Sequence, residues 1–108
     1  MPNTTKIFVL VQDGECRVVP PVARATGNAV PGAADAIEVY NQTVGEITFM
    51  FPDERALHAN GHHGRIPAGG PPHATRANAQ PGAYAYAVFC KQTGKFAVGD
   101  SDPRIIID

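Results

Sequence analysis

The four histidines, His58, His62, His63 and His73, all fall within sixteen positions of one another. Imidazole is the commonest metal ligand and the side chain that titrates near neutral pH. The piece most suggestive of a metal site is Gly61-His62-His63-Gly64. Neighbouring side chains of an extended segment point apart, however, and neither a cysteine nor a carboxylate stands at ligand spacing. His58 and His62 would meet at i,i+4 on a helix, but Asn60-Gly61 is expected to end it between them. Arg65, Arg76 and His73 add hydrogen-bond donors among proline-rich turns, as a recognition surface does. Two readings follow. His62, His63, Arg65 and His73 are candidate contacts for a protein or small ligand, or the 58–73 stretch holds copper or zinc.

The thiols come next. Cys16 and Cys90 permit one disulfide, and are expected as free thiols because cysteine is often a small buried hydrophobe. Activating Cys90 would need a cation beside it, and Lys91 and Lys95 are near in sequence. The chain lacks Gly-x-Ser-x-Gly, a phosphate loop, Cys-x-x-Cys and His-Glu-x-x-His, so neither enzyme nor cofactor is expected. Asp100-Ser101-Asp102-Pro103 has the composition of a turn.

Composition bounds the elements that must position these groups. With 108 residues, 44% apolar, a single domain over 1–108 is expected. Nine Lys and Arg against ten Asp and Glu, without a basic cluster, offer no footing for nucleic acid or an anionic membrane. Eleven Gly and ten Pro argue against an all-helical fold. The continuous apolar run at 7–11 is shorter than the about 7–15 residues of a signal peptide core. A cytoplasmic location is therefore expected, or a periplasmic one if a signal was removed.

Strand patterns dominate. Ile7-Phe8-Val9-Leu10-Val11 and Cys16-Arg17-Val18-Val19 flank Asp13-Gly14 and predict a hairpin. Residues 22–35 read as irregular. Ala36-Ile37-Glu38-Val39-Tyr40 and Ile47-Thr48-Phe49-Met50-Phe51 alternate with period two and predict a second hairpin. Residues 52–59 predict one short helix, capped by Asp53 and anchored by Leu57. Residues 61–82, with five Gly and four Pro, predict a long loop. Tyr84-Ala85-Tyr86-Ala87-Val88-Phe89-Cys90 predicts a strand, its alanine face leaving room for a neighbouring layer, and Ile105-Ile106-Ile107 predicts the last strand. Six strands separated by Gly, Pro, Asn and Asp turns predict an all-β sandwich or barrel.

Three places carry a family likeness. Val30-Pro31-Gly32 followed by Ile37-Glu38-Val39-Tyr40-Asn41, then Glu46-Ile47-Thr48-Phe49, then Gly82-Ala83-Tyr84 through Cys90, resemble in order and spacing the cupredoxins, the blue-copper sandwiches of plastocyanin and azurin type. The resemblance implies a Greek-key β-sandwich with two imidazoles and a thiolate around copper, usually with an axial thioether. It places the first histidine where Gly45 and Glu46 stand, and the thiolate at Cys90 or, by spacing, Val88. The second histidine would fall in Lys91-Gln92-Thr93-Gly94-Lys95, and the methionine in 96–99, where neither residue type occurs. Cys90 is thus a degenerate copper-ligand position. The expectation is a cupredoxin-like sandwich with one short helix and without a blue-copper site, a non-enzymatic binding domain whose 61–82 loop makes the contact.

Overall fold

β-Branched and aromatic residues alternating with polar ones become strands, because one side of each can be buried while the other faces water. The computed structural model describes residues 2–53, 55–58, 63–97 and 103–108. Its strands are β1 (Thr4–Gln12), β2 (Glu15–Val19), β3 (Val22–Ala25), β4 (Ala36–Asn41), β5 (Ile47–Met50) and β6 (His63–Ile66). They continue with β7 (His73–Arg76), β8 (Gly82–Ala85), β9 (Ala87–Cys90), β10 (Lys95–Phe96) and β11 (Arg104–Ile107). Three sheets result, ordered β2-β1-β4-β7, β10-β9-β5-β6 and β3-β11-β8. Their inward side chains meet in one core, with Ile7, Val9, Ile37 and Val39 contributed by the first sheet and Ile47, Phe49, Val88 and Ile105 by the other two.

The first hairpin forms as expected. Asp13 (φ 54°) and Gly14 (φ 77°) both take positive φ in a two-residue turn, the type I′ geometry whose twist matches that of the strands. The second pair behaves differently. β4 pairs with β1 in parallel and with β7, whereas β5 pairs with β6 and β9 in another sheet. Both strands carry strongly apolar inner faces, and burying them places the strands in separate sheets around the core rather than side by side.

Three further expectations are corrected. The 61–82 stretch is not a loop throughout: β6 and β7 lie within it, linked by a turn in which the Gly70 N–H donates to the Pro67 carbonyl and Gly69 takes φ 72°. Each strand pairs with a distant partner, and that pairing outweighs a weak local pattern. Residues 22–25, read as irregular, form β3 in parallel with β11. The expected helix over 52–59 is a turn in its described residues, where the Asp53 carbonyl accepts the Ala56 N–H and its carboxylate the Arg55 N–H. The chain then straightens, Leu57 bridging to Ala77 and the His58 N–H donating to the Arg76 carbonyl. Two helical turns cannot hold themselves against such pairing. Leu57 is nonetheless buried, as an anchor should be. Among the described residues the one helical piece is a 3-10 turn over Pro31–Ala33.

The Tyr84 to Cys90 strand changes sheet midway. β8 pairs with β11 and β9 with β5, while between them the Tyr86 N–H donates to the Pro103 carbonyl. Alternation persists across the break, so Tyr84, Tyr86, Val88 and Cys90 are all buried. At one end of the sandwich, buried Asp35 accepts the Asn3 and Thr26 N–H groups on its two carboxylate oxygens and ties β1, β3 and β4 together.

Candidate functional site

The segment between β4 and β5 is ordered by one side chain. Buried Asn41 donates to the Gly45 and Ile66 carbonyls, at 2.8 and 2.9 Å, and its Oδ1 accepts from the Thr43 N–H and hydroxyl. The Val44 N–H donates to the Gln92 side chain, and the Lys91 N–H to the Glu46 carbonyl, which joins this turn to the end of β9. Cys90, fully buried there, is bonded to Cys16 with Cα atoms 6.2 Å apart. Both cysteines are in that bond, which corrects the expectation of free thiols. They are 74 positions apart in sequence and lie on strands of different sheets, so the pairing has no local signature.

Structural comparison finds a laccase from Pediococcus acidilactici at TM-score 0.53 and 13% identity, with 99% of this chain matched to 27% of the laccase. It also finds the apo form of a copper binding protein, at TM-score 0.51 and 17% identity, over 100% of this chain and 98% of that one. The fold is cupredoxin-like. No family model matches the sequence. No curated protein matches it either. Identities this low carry the architecture alone.

The metal that a cupredoxin-like fold implies does not fit the residues present. The Cys90 sulfur is held in a disulfide and offers no thiolate. Val88, the alternative position, is a buried core side chain. At Gly45 and Glu46, where the resemblance would put the first imidazole, there is no histidine, and the backbone is engaged with Asn41, Thr43 and Lys91. Among the described residues, nowhere do three or more His, Cys, Asp or Glu side chains gather as a metal would need.

The three described histidines do not converge on one face. His73, opposite buried Val39, packs against Phe49 with ring centroids 4.7 Å apart. Burial pushes its pKa below the ordinary imidazole value. His63 is exposed on β6 in the other sheet, paired with Met50. The His58 ring nitrogen lies 2.8 Å from the Asn28 carbonyl oxygen. His62 lies outside the described residues. Arg65 is exposed, beside Thr48.

His63 and Arg65 instead border a surface that sequence reasoning did not single out. Directly paired residues point to the same side of a sheet, so Phe96, Phe89, Thr48 and Arg65 form one row, with Ala87, Met50 and His63 as the next. The opposite side of these strands carries the buried Ile47, Phe49, Val88 and Cys90. On the outer side Met50 is 54% and Phe96 60% exposed. The Phe96 ring stands edge-on to Phe89 at 5.3 Å, and a groove of about 410 Å³ runs between Thr48, Met50, Ala87, Phe89 and Phe96. The neighbouring layer expected against the alanine face is missing here among the described residues. The signal was present in the alternation: with Ile47, Phe49 and Phe51 inside, Met50 must face out, and Phe89 lies opposite Val88 and Cys90.

Proposed function

We propose that this chain is a binding domain that works without a metal centre, its contact surface being the outer face of the β10-β9-β5-β6 sheet with His63 and Arg65 at its edge. The observation that carries the proposal is the apolar patch that Met50, Phe89 and Phe96 form across two neighbouring rows, two of them more than half exposed. Exposed apolar side chains gathered on one face mark interaction sites more often than scattered ones do. The first sheet makes the contrast. Its outer aromatics, Phe8 and Tyr40, stack at 5.1 Å, and Tyr40 is covered by Lys6 and by a hydrogen bond to Glu38. The Cys16–Cys90 disulfide suits an oxidising compartment, and a non-enzymatic role agrees with sulfurs committed to that bond.

Two measurements on the purified protein test this reading. An environment-sensitive apolar dye is expected to bind the wild type and to lose most of its signal with the Met50→Ser/Phe96→Ser double variant. Copper(II) and zinc titrations at about pH 7.5, where imidazole is neutral, are expected to give no tight one-to-one binding. Stoichiometric metal binding that disappears in a His63→Ala/His73→Ala variant would replace the proposal with a metal-binding function.

A further inference from the structure

We infer that the Cys16–Cys90 disulfide is a thiol-exchange site, opened in the folded protein by a low-molecular-mass thiol that attacks the Cys16 sulfur and expels Cys90 as a thiolate beside Lys95. The inference goes beyond the contact face and does not depend on it. Access speaks first. A cleft of about 240 Å³ lies between the β1–β2 turn and the β9–β10 turn, with Glu15, Cys16, Thr93 and Lys95 in its wall. Cys16 is 1% exposed and Cys90 0%, so only a small reagent seated in the cleft meets the bond. Cys90 is not part of the cleft wall, which makes Cys16 the sulfur under attack.

Charge sets the direction of cleavage. Lys95 stands directly opposite Cys90 in the β9–β10 register and projects from the same side of the sheet, in agreement with its place in the cleft wall. The Thr93 hydroxyl holds that turn, accepting the Lys95 N–H and donating to the Cys90 carbonyl. Glu15, the carboxylate of the cleft, is engaged by Arg17 at 3.3 Å, and among the described residues no ion pair takes up Lys95. A cation beside a sulfur favours its thiolate, and the sulfur with the more stable thiolate leaves faster. The entering thiolate bonds to Cys16 as the S–S bond breaks, and the electron pair departs on Cys90. A second thiolate then attacks the reagent sulfur of this mixed disulfide and releases Cys16. Two thiols are oxidised to one disulfide, the protein bond is reduced by two electrons, and the two thiol protons pass to the cysteines. No strand is unpaired by this: β2 keeps its pairing with β1, and β9 stays between β5 and β10.

The test incubates the native protein with 3-mercaptopropionate at about pH 8, where part of the reagent is thiolate, traps free thiols with N-ethylmaleimide and maps both labels by mass spectrometry. The reagent is expected on Cys16 and the maleimide on Cys90. The rate is expected to rise with thiol concentration and to stay constant when urea is added below the unfolding transition. Lys95→Glu is expected to slow the reaction about fivefold, and Lys95→Arg to leave it near the wild-type rate. Reagent on Cys90 instead of Cys16, or equal rates in wild type and Lys95→Glu, overturns the proposal. So does a rate that climbs with urea, or exchange that begins only once the protein unfolds, since the bond then opens in the unfolded chain alone. None of these outcomes bears on dye binding at Met50 and Phe96, so the contact face stands or falls separately.

Discussion

Half-buried His73 and buried Tyr86 close a run of aromatic contacts through Phe49 and Phe51. His73 lies 4.7 Å from Phe49, and Tyr86 stacks on Phe51 at 4.5 Å. Burial lowers the His73 pKa and raises that of Tyr86. An imidazole whose folded pKa lies below its unfolded value near 6.5 binds fewer protons in the native state. Its neutral form is accommodated without penalty above about pH 6.5, and stability falls as pH drops below that value. The melting temperature is therefore expected to fall between pH 7.5 and pH 5, and to fall less in His73→Phe; calorimetry across that range checks it. The Tyr86 hydroxyl has no hydrogen-bond partner among the described residues. Replacing a buried unsatisfied group by an apolar one removes a cost of about 1–3 kcal/mol. Tyr86→Phe is expected to leave stability equal or higher in urea unfolding.

Pairing between strands explains why some elements were legible and others were not. The β1–β2 hairpin could be read because its turn residues and alternation are local, and Asp13-Gly14 is the pair a type I′ turn requires. β3 could not, because its pairing comes from β11, 82 positions later in the chain. The junction of these elements depends on Asp35. Removing its carboxylate leaves the Asn3 and Thr26 N–H groups without their acceptor, and a part-buried charge-assisted pair of this kind is worth about 2 kcal/mol. Asp35→Ala is expected to lower unfolding free energy by that amount, and Asp35→Asn by less. Gly27 adds a second constraint at the same junction. A Cβ there would run into the Asn78 carbonyl, which is backbone and cannot swing aside. Gly27→Ala is thus expected to destabilise the domain although an exposed glycine-to-alanine change is ordinarily mild; its melting temperature decides the matter.

At the scale of the whole molecule, the Cys16–Cys90 disulfide joins two sheets. It closes a span of 74 residues. Constraining the unfolded chain over such a loop is worth about 4 kcal/mol in the chain-entropy account. The Cys16→Ala/Cys90→Ala double variant, or reduced wild type, is expected to lose stability of that order, measured as a fall in denaturation midpoint. The groove between Met50 and Phe96 lies on the other side of the same sheet, so its dye binding should survive in whatever fraction stays folded.

Inner and outer faces of the strands, the all-β class and the likeness to the cupredoxins were determined by the sequence alone. A two-residue period and turn chemistry act over a few positions and need no distant partner. The tertiary structure alone decided which strands share a sheet, that 63–66 and 73–76 pair at all, that Cys16 meets Cys90, and that Thr48, Met50, Phe89 and Phe96 form one surface. Each of these depends on backbone groups or side chains far apart in the chain. Their meeting is set by burying a common core, and a local pattern carries no record of it.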